Sequence, residues 1–297
     1  MTDGILLVHK PAGITSFDVV ARIRRLYGTK KVGHTGTLDP MATGLLGGLV
    51  GRAVKASEFL TEKDKEYIAG LRLGLTTDTE DTTGKTLTES DDIPPKEAVL
   101  ETAKTFVGDI MQVPPLYSAL KVNGQKLVDL ARQGITVERE ARPITIYALD
   151  IDGDGKDYTM RVACSKGTYI RTLCADIGAK LGCGGAMSSL IRTKAGIFDL
   201  ENAYTLEALE AMTPEERYAK LLPTELLFED YPIAHLSDFY AKLARNGCEI
   251  YERKIGASFP LGEKLRVYDK NGFFAVGEVR QYDEGLAIKL LKRFDIT

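Results

Sequence analysis

Ile144-Thr145-Ile146-Tyr147-Ala148-Leu149-Asp150-Ile151 and Tyr158-Thr159-Met160-Arg161-Val162-Ala163-Cys164-Ser165 bracket Asp152-Gly153-Asp154-Gly155. Two apolar runs of strand length joined by a Gly/Asp cluster predict a β-hairpin, whose antiparallel strands need no crossover helix. That pairing decides the fold class. A doubly wound sheet needs strands and helices in strict alternation, whereas strands paired as hairpins beside separate helices predict an α+β fold.

The same reading extends along the chain. Glu66–Leu75 alternates, with Tyr67, Ala69, Leu71, Leu73 and Leu75 on one face of a strand and Arg72 on the other. Gly4–Val8 and Leu45–Val50 read as short strands, and Lys10-Pro11-Ala12-Gly13 as a turn. Ser16 is the expected N-cap of a helix carrying Val19, Val20, Ile23, Leu26 and Tyr27, with Gly28 as its stop. Gly33–Gly44 has no period and is expected to be a loop, followed after Val50 by a short helix over Arg52–Leu60. Thr168–Leu181 is an amphipathic helix with Ile170, Leu173, Cys174, Ile177 and Leu181 on one face. Beyond Leu227–Pro232 come strands over Lys264–Tyr268, Phe273–Val279 and Gly285–Leu291, with a tight turn at Asp269-Lys270-Asn271-Gly272. This predicts a small β-rich C-terminal domain.

Composition bounds the function. At 297 residues the chain suits two domains, at ~150 residues per domain. Hydrophobic content of 44% and charged content of 27% match a soluble globular protein with a sizeable core. No apolar run approaches the ~20 residues of a membrane helix, and the acidic start with its short Ile5–Val8 run is not expected to be a signal peptide. A cytoplasmic location without membrane attachment follows as an expectation. Cys164, Cys174, Cys183 and Cys248, and His9, His34 and His235, are not at metal-ligand spacing, so no metal site is expected. No strand leads into Gly-x-Gly-x-x-Gly and no Walker A pattern occurs, so no nucleotide cofactor is expected either.

The net charge of −3 speaks against a nucleic-acid partner, but its distribution speaks for one. Between Ala21 and Lys55, seven basic residues (Arg22, Arg24, Arg25, Lys30, Lys31, Arg52, Lys55) accompany one acid, Asp39; between Lys156 and Lys194, seven accompany Asp157 and Asp176. Such asymmetry can give an acidic protein a local positive face.

Asp39 therefore stands out. Pro40 biases it toward extended or turn geometry, and Gly33, Gly36 and Gly44 allow close backbone approach around it. An acid on a glycine-rich loop within a basic stretch is suited to a ligand that basic groups attract, although an Asp-Pro turn alone is commonplace.

Gly33-His34-Thr35-Gly36-Thr37-Leu38-Asp39-Pro40-Met41-Ala42-Thr43-Gly44 resembles the catalytic motif of the bacterial TruB-type tRNA pseudouridine-55 synthases. Companion blocks resemble that family in the same order: His9-Lys10-Pro11-Ala12-Gly13, Lys65-Glu66-Tyr67, Leu75-Thr76-Thr77-Asp78-Thr79-Glu80-Asp81, Val113-Pro114-Pro115-Leu116-Tyr117-Ser118-Ala119-Leu120-Lys121, Ser165-Lys166-Gly167-Thr168-Tyr169-Ile170-Arg171-Thr172-Leu173 and Leu190-Ile191-Arg192-Thr193. They span about the first 200 residues and are jointly specific. Val128 departs from the family, whose members often carry an aromatic residue there.

The resemblance implies the pseudouridine synthase fold: a catalytic unit over residues 1–231, with a mixed, largely antiparallel sheet flanked by helices, and a small β-rich PUA-like RNA-binding unit over 232–297. It implies isomerisation of a flipped-out uridine, at position 55 of the tRNA T-arm loop, without cofactor or metal. Asp39 is then the catalytic carboxylate and Arg171 the guanidinium that keeps it ionised. Tyr67 stacks on the base, Tyr169 and Leu190 wall the pocket, Lys10 lies near the active site, and His34 stacks against displaced RNA. The Gln133–Arg142 segment would close over the RNA, and a monomer acting on tRNA without a protein partner is expected. Two other readings stay open on the same residues: a tRNA-folding chaperone or RNA-binding module, and a guide-RNA-dependent pseudouridine synthase. Intact Asp39, Tyr67 and Arg171 favour catalysis over binding alone, and the acidic net charge without basic extensions disfavours the guide-dependent reading.

Overall fold

A computed structural model describes residues 3–60, 63–118, 120–122, 124–135 and 137–295. Met1, Thr2, Ala119 and Thr136, and the side chains of Lys121 and Lys126, which belong to segments discussed above, lie outside the described residues. The fold is α+β. A ten-stranded sheet runs Tyr204–Thr205, Gly4–Lys10, Thr43–Val50, Gly185–Ala195, Lys65–Leu73, Asp157–Cys164, Arg142–Asp154 and Gly108–Gln112, with Phe198–Asp199 and Val32–His34 attached to the sides. Two pairings are parallel, Gly4–Lys10 with Tyr204–Thr205 and Thr43–Val50 with Gly185–Ala195; the others are antiparallel.

The hairpin expected at Ile144–Ser165 is present, but it turns two residues later than the glycines suggest. Asp154 pairs with Asp157, so Gly155 and Lys156 make the turn and Gly153 lies inside the strand. A Cβ on Gly153 would stand 2.3 Å from the Asp157 carbonyl oxygen, so that glycine serves close backbone approach rather than turning.

Helices and the C-terminal sheet cover the ten-stranded sheet. Tyr67, Ala69, Leu71 and Leu73 share a core with Met160, Val162 and with Ile170, Leu173, Cys174 and Ile177 of the helix Ile170–Leu181. Leu6 and Val8 pack on Val19, Val20 and Ile23 of the helix Ser16–Leu26. Their neighbours Ile5 and Leu7 face the opposite way, toward Phe228, Val276 and Phe294. The short Ile5–Val8 run is continuous because it is buried on both faces.

Residues 233–293 form a separate five-stranded sheet in the order Ile233–His235, Lys264–Asp269, Gly272–Tyr282, Gly285–Arg293 and Ile250–Tyr251. Phe228 joins the sheets: it is fully buried, with the rings of Phe59, Tyr231, Phe273 and Phe294 5.1 to 5.9 Å away. Burying such a ring contributes roughly 1.5–3 kcal/mol. Among the described residues no helix is long and apolar enough to cross a membrane.

One expected cap is corrected. Thr15, not Ser16, caps the first helix, in a capping box with Asp18. The Ser16 hydroxyl is buried instead, accepting from the Leu38 N–H at 2.9 Å and donating to the Leu38 carbonyl at 3.1 Å. Thr15 can leave its hydroxyl in water and still serve the helix, which frees Ser16 to hold the residue beside Asp39.

Candidate active site

The loop around Asp39 is short and bound at many points. Only Thr35–Ala42 lies between strands, because Val32–His34 and Thr43–Val50 take up its ends. Ala42 N–H donates to the Asp39 carbonyl at 3.1 Å, and Gly13 N–H to that of Pro40 at 2.8 Å. Lys10, fully buried, reaches across the loop. Its ammonium donates to the carbonyls of Pro11 at 2.9 Å, Pro40 at 3.2 Å and Ala42 at 2.7 Å. Burial pulls Lys10 down to about 8, although the Asp39 charge opposes the shift.

Arg171 is the second residue of the helix Ile170–Leu181. The Gln112 side chain holds Tyr169, the residue before the helix, accepting its N–H at 2.9 Å and donating to its carbonyl at 3.1 Å. The guanidinium is 7% exposed, with Nε 3.0 Å from Asp39 Oδ2 and Nη2 3.4 Å from Oδ1. Nη2 also donates to the Tyr117 carbonyl at 2.7 Å and Nη1 to that of Thr79 at 3.0 Å, with Asp81 Oδ2 3.9 Å away. Such a fork holds a carboxylate in one orientation.

Burial drives the Asp39 carboxyl above its ordinary value, the Arg171 charge pulls it back, the Asp81 charge pushes it up again and Lys10 pulls it down. The Asp39 side chain remains 33% exposed. Burial raises the phenols of Tyr67 and Tyr169; the Arg192 charge opposes the rise at Tyr67 and the Ser118 hydroxyl opposes it at Tyr169, while the Asp39 charge adds to both. Leu190 pairs with Ala69 and Arg192 with Tyr67 across neighbouring strands, so all four share the sheet face that carries the site.

Lys10, Asp39, Tyr67, Tyr169, Arg171 and Leu190 are thus brought together. His34 sits at the loop's other end, its Nδ1 accepting from Gly36 N–H at 3.2 Å; burial and the Arg192 charge hold it below its ordinary value. Two structural participants, Arg192 and Asp81, are not marked by the sequence, and a third, Ser16, reads there as a helix cap. Arg192 is buried and donates to the Leu45 carbonyl at 2.7 Å and the Gly36 carbonyl at 3.1 Å, tying loop to strand. The signal existed: two residues from Leu190 on a strand, it must share Leu190's face. Asp81, 5% exposed, accepts from Thr79 Oγ1, Thr83 N–H and Thr83 Oγ1 at 2.9, 3.0 and 2.6 Å behind Arg171.

The basic stretches are dispersed. Arg171 and Arg192 are consumed inside the site, Arg52 pairs with Asp3 and Lys194 with Glu66, while Arg25, Lys30 and Lys31 remain exposed. A cavity of about 380 Å³ between Leu120, Arg142, Ile144, Lys166 and Tyr169 adjoins the site. One of about 440 Å³ lined by Leu7, Phe198, Tyr204 and Lys220 shares no lining residue with it.

Residues 24–170 match the TruB family pseudouridylate synthase N-terminal domain, and residues 171–229 the tRNA pseudouridylate synthase B C-terminal domain. The tRNA pseudouridine synthase B of Alkaliphilus oremlandii (strain OhILAs) is 43% identical over 299 residues, covering 98% of each chain. That of Dechloromonas aromatica (strain RCB) is 48% identical over 278 residues, covering 93% of this chain and 91% of its own. A chain in the crystal structure of a Cbf5–Nop10–Gar1 complex superposes with a TM-score of 0.75 at 27% identity, covering 98% of this chain and 85% of the other. With both family domains matched in order around the Asp39–Arg171 contact, the chain belongs to the TruB family of pseudouridylate synthases.

Proposed function

We propose that this chain isomerises a uridine of tRNA to pseudouridine, at position 55 in the T-arm loop, with Asp39 as the catalytic carboxylate. The observation that carries this reading is a half-buried carboxylate held by a buried guanidinium on the loop that carries the family's motif. The reaction breaks the bond between N1 and the anomeric carbon, turns the base and forms a bond from C5 to the same carbon. The C5 proton leaves and N1 gains one, so atoms and electrons balance within the nucleotide. An ionised carboxylate at the anomeric carbon stabilises or captures the cationic sugar, as in glycoside chemistry.

The target base must leave the helical stack, at a cost on the order of a few kcal/mol, offset by pocket contacts. Tyr67 supplies the stacking face, Tyr169 and Leu190 the walls, and His34 a partner for displaced RNA. Exposed Arg25, Lys30 and Lys31 suit phosphate contact. The Gln133–Arg142 segment is the element that closes over the RNA, and the C-terminal sheet, read as a PUA-like domain, adds a second RNA surface. The protein acts as a monomer on bare tRNA.

Asp39→Asn tests this. Tritium release from [5-³H]uridine-labelled tRNA transcript should vanish while tRNA binding persists. Substantial turnover by the variant would overturn the assignment of Asp39.

A further inference from the structure

Among the described residues, Glu80 is the only non-glycine with positive φ, 62°. Left-handed backbone is unfavourable for a residue with a Cβ and persists only where surrounding contacts hold it. Those contacts are present on both sides. The Glu80 carbonyl accepts from Met187 N–H at 3.0 Å, and Thr82 N–H donates to the Met187 carbonyl at 2.9 Å, pinning the segment to the strand Gly185–Ala195. The Glu80 carboxylate accepts from Thr172 Oγ1 at 2.6 Å.

Thr172 follows Arg171 in the helix, and the three consecutive residues Thr79, Glu80 and Asp81 all address that helical turn. The Thr79 carbonyl accepts from Arg171 Nη1 at 3.0 Å, Glu80 takes Thr172, and the Asp81 carboxylate lies 3.9 Å from Arg171 Nη1. In an extended chain alternate side chains point to opposite faces. The left-handed turn at Glu80 breaks that alternation and lets all three groups converge.

We propose that Glu80 is a positioning residue: its left-handed backbone and Thr172-bound carboxylate lock Thr79 and Asp81 onto Arg171, and thereby hold Arg171 against Asp39. The catalytic part of this inference rests on the isomerase reading above; the clamp itself does not. The groups facing Glu80 are Thr172, the Cys174 thiol, the cations of Arg171 and Arg139, and the carboxylates of Asp81 and Asp176. Burial raises its carboxyl, and the Thr172 hydroxyl opposes that by donating to the ionised form.

Glu80→Gln, Glu80→Gly, Glu80→Ala and Thr172→Val separate backbone from side chain. Glu80→Gln keeps an acceptor for Thr172, while Glu80→Gly relieves the backbone and loses the acceptor. Two readouts apply to the full chain: pseudouridine formation on tRNA transcript across pH, and solvent exchange of the Arg171 Nε–H by NMR in the free protein. The Ala, Gly and Val variants should lower kcat about ten-fold at unchanged KM, the effect expected from one lost buried hydrogen bond to a charged group. They should also speed Arg171 Nε–H exchange and move the acid limb of kcat to higher pH; Glu80→Gln should stay near wild type. Wild-type exchange and kcat in Glu80→Ala and Thr172→Val would overturn the clamp, as would a fully active Glu80→Gly beside an impaired Glu80→Gln. If the wild type formed no pseudouridine, the isomerase reading would fall, and Arg171 exchange would still decide whether the clamp exists.

Discussion

Arg171 and Asp39 lie 132 positions apart in sequence and meet through two contacts, Nε to Oδ2 at 3.0 Å and Nη2 to Oδ1 at 3.4 Å. The guanidinium is far better buried than the carboxylate it holds, so its own place is set by the protein: by the carbonyls of Thr79 and Tyr117 and by Asp81. One end of the pair is fixed and the other is partly exposed, an arrangement suited to presenting a charge.

The first prediction concerns that pair. Burial holds the Asp39 carboxyl above its ordinary value and Arg171 opposes the rise. The acid limb of kcat should therefore lie above the usual carboxylate range and move higher still in Arg171→Lys. A lysine cannot fork onto both oxygens while satisfying two carbonyls, so kcat should fall about 100-fold, the scale of a 1 Å misplacement. A pH–rate profile of both proteins checks this; an unmoved acid limb would remove Arg171 from the control of Asp39.

A second prediction concerns Arg192. Its buried guanidinium donates to the carbonyls of Leu45 and Gly36, joining the strand Thr43–Val50 to the loop. Arg192→Met leaves both acceptors unpaired and should destabilise the fold by about 3 kcal/mol in urea unfolding. Burial and the Arg192 charge both lower His34, so the variant should also raise His34, an NMR titration that a purely packing role would leave unchanged.

These two arginines show what could be read from sequence. The hairpin, the alternating strand at Tyr67 and the helix ending at Leu181 follow local periods and are present. Asp39 and Arg171 were legible through an ordered set of motifs, whereas helical spacing placed Arg171 only beside the apolar stripe. Burial of an arginine depends on carbonyls delivered by distant segments, such as Thr79 and Tyr117, and no local pattern records that. Ser16 failed for a related reason: two adjacent hydroxyl residues compete for a cap, and tertiary contact with Leu38 decides which one serves it. The positive φ of Glu80 carries no glycine to announce it.

Gly44 and Gly13 offer a matched comparison. Both have positive φ, 105° and 85°. A Cβ on Gly44 would stand 2.4 Å from the Arg192 carbonyl oxygen and 2.6 Å from its nitrogen, backbone atoms that cannot yield, whereas a Cβ on Gly13 meets nothing within 4 Å. Gly44→Ala should cost about 3 kcal/mol or more by prising apart the strands at Gly44 and Arg192, and Gly13→Ala only about 1 kcal/mol, the intrinsic left-handed penalty. Equal losses in urea unfolding would show that conformation alone, not the close strand approach, requires Gly44.

Lys10 gives a prediction in which stability and activity move in opposite directions. Its value falls from 10.5 to about 8 in the folded protein. Between those two values the unfolded chain holds a proton that the folded chain has released. Stability relative to Lys10→Met should therefore rise with pH across that window and be flat below it. Activity should do the reverse. The ammonium ties the Pro11 carbonyl to those of Pro40 and Ala42, just after Asp39, and it lowers the Asp39 carboxyl. A neutral amine has one donor fewer and no charge, so the loop loosens as pH passes about 8. Wild-type kcat should fall there while urea unfolding shows the fold intact, and Lys10→Met should start lower and lack the step. General alkaline unfolding would lower both quantities together, and a wild-type profile flat to pH 10 would show that the Lys10 charge does not set the Asp39 loop.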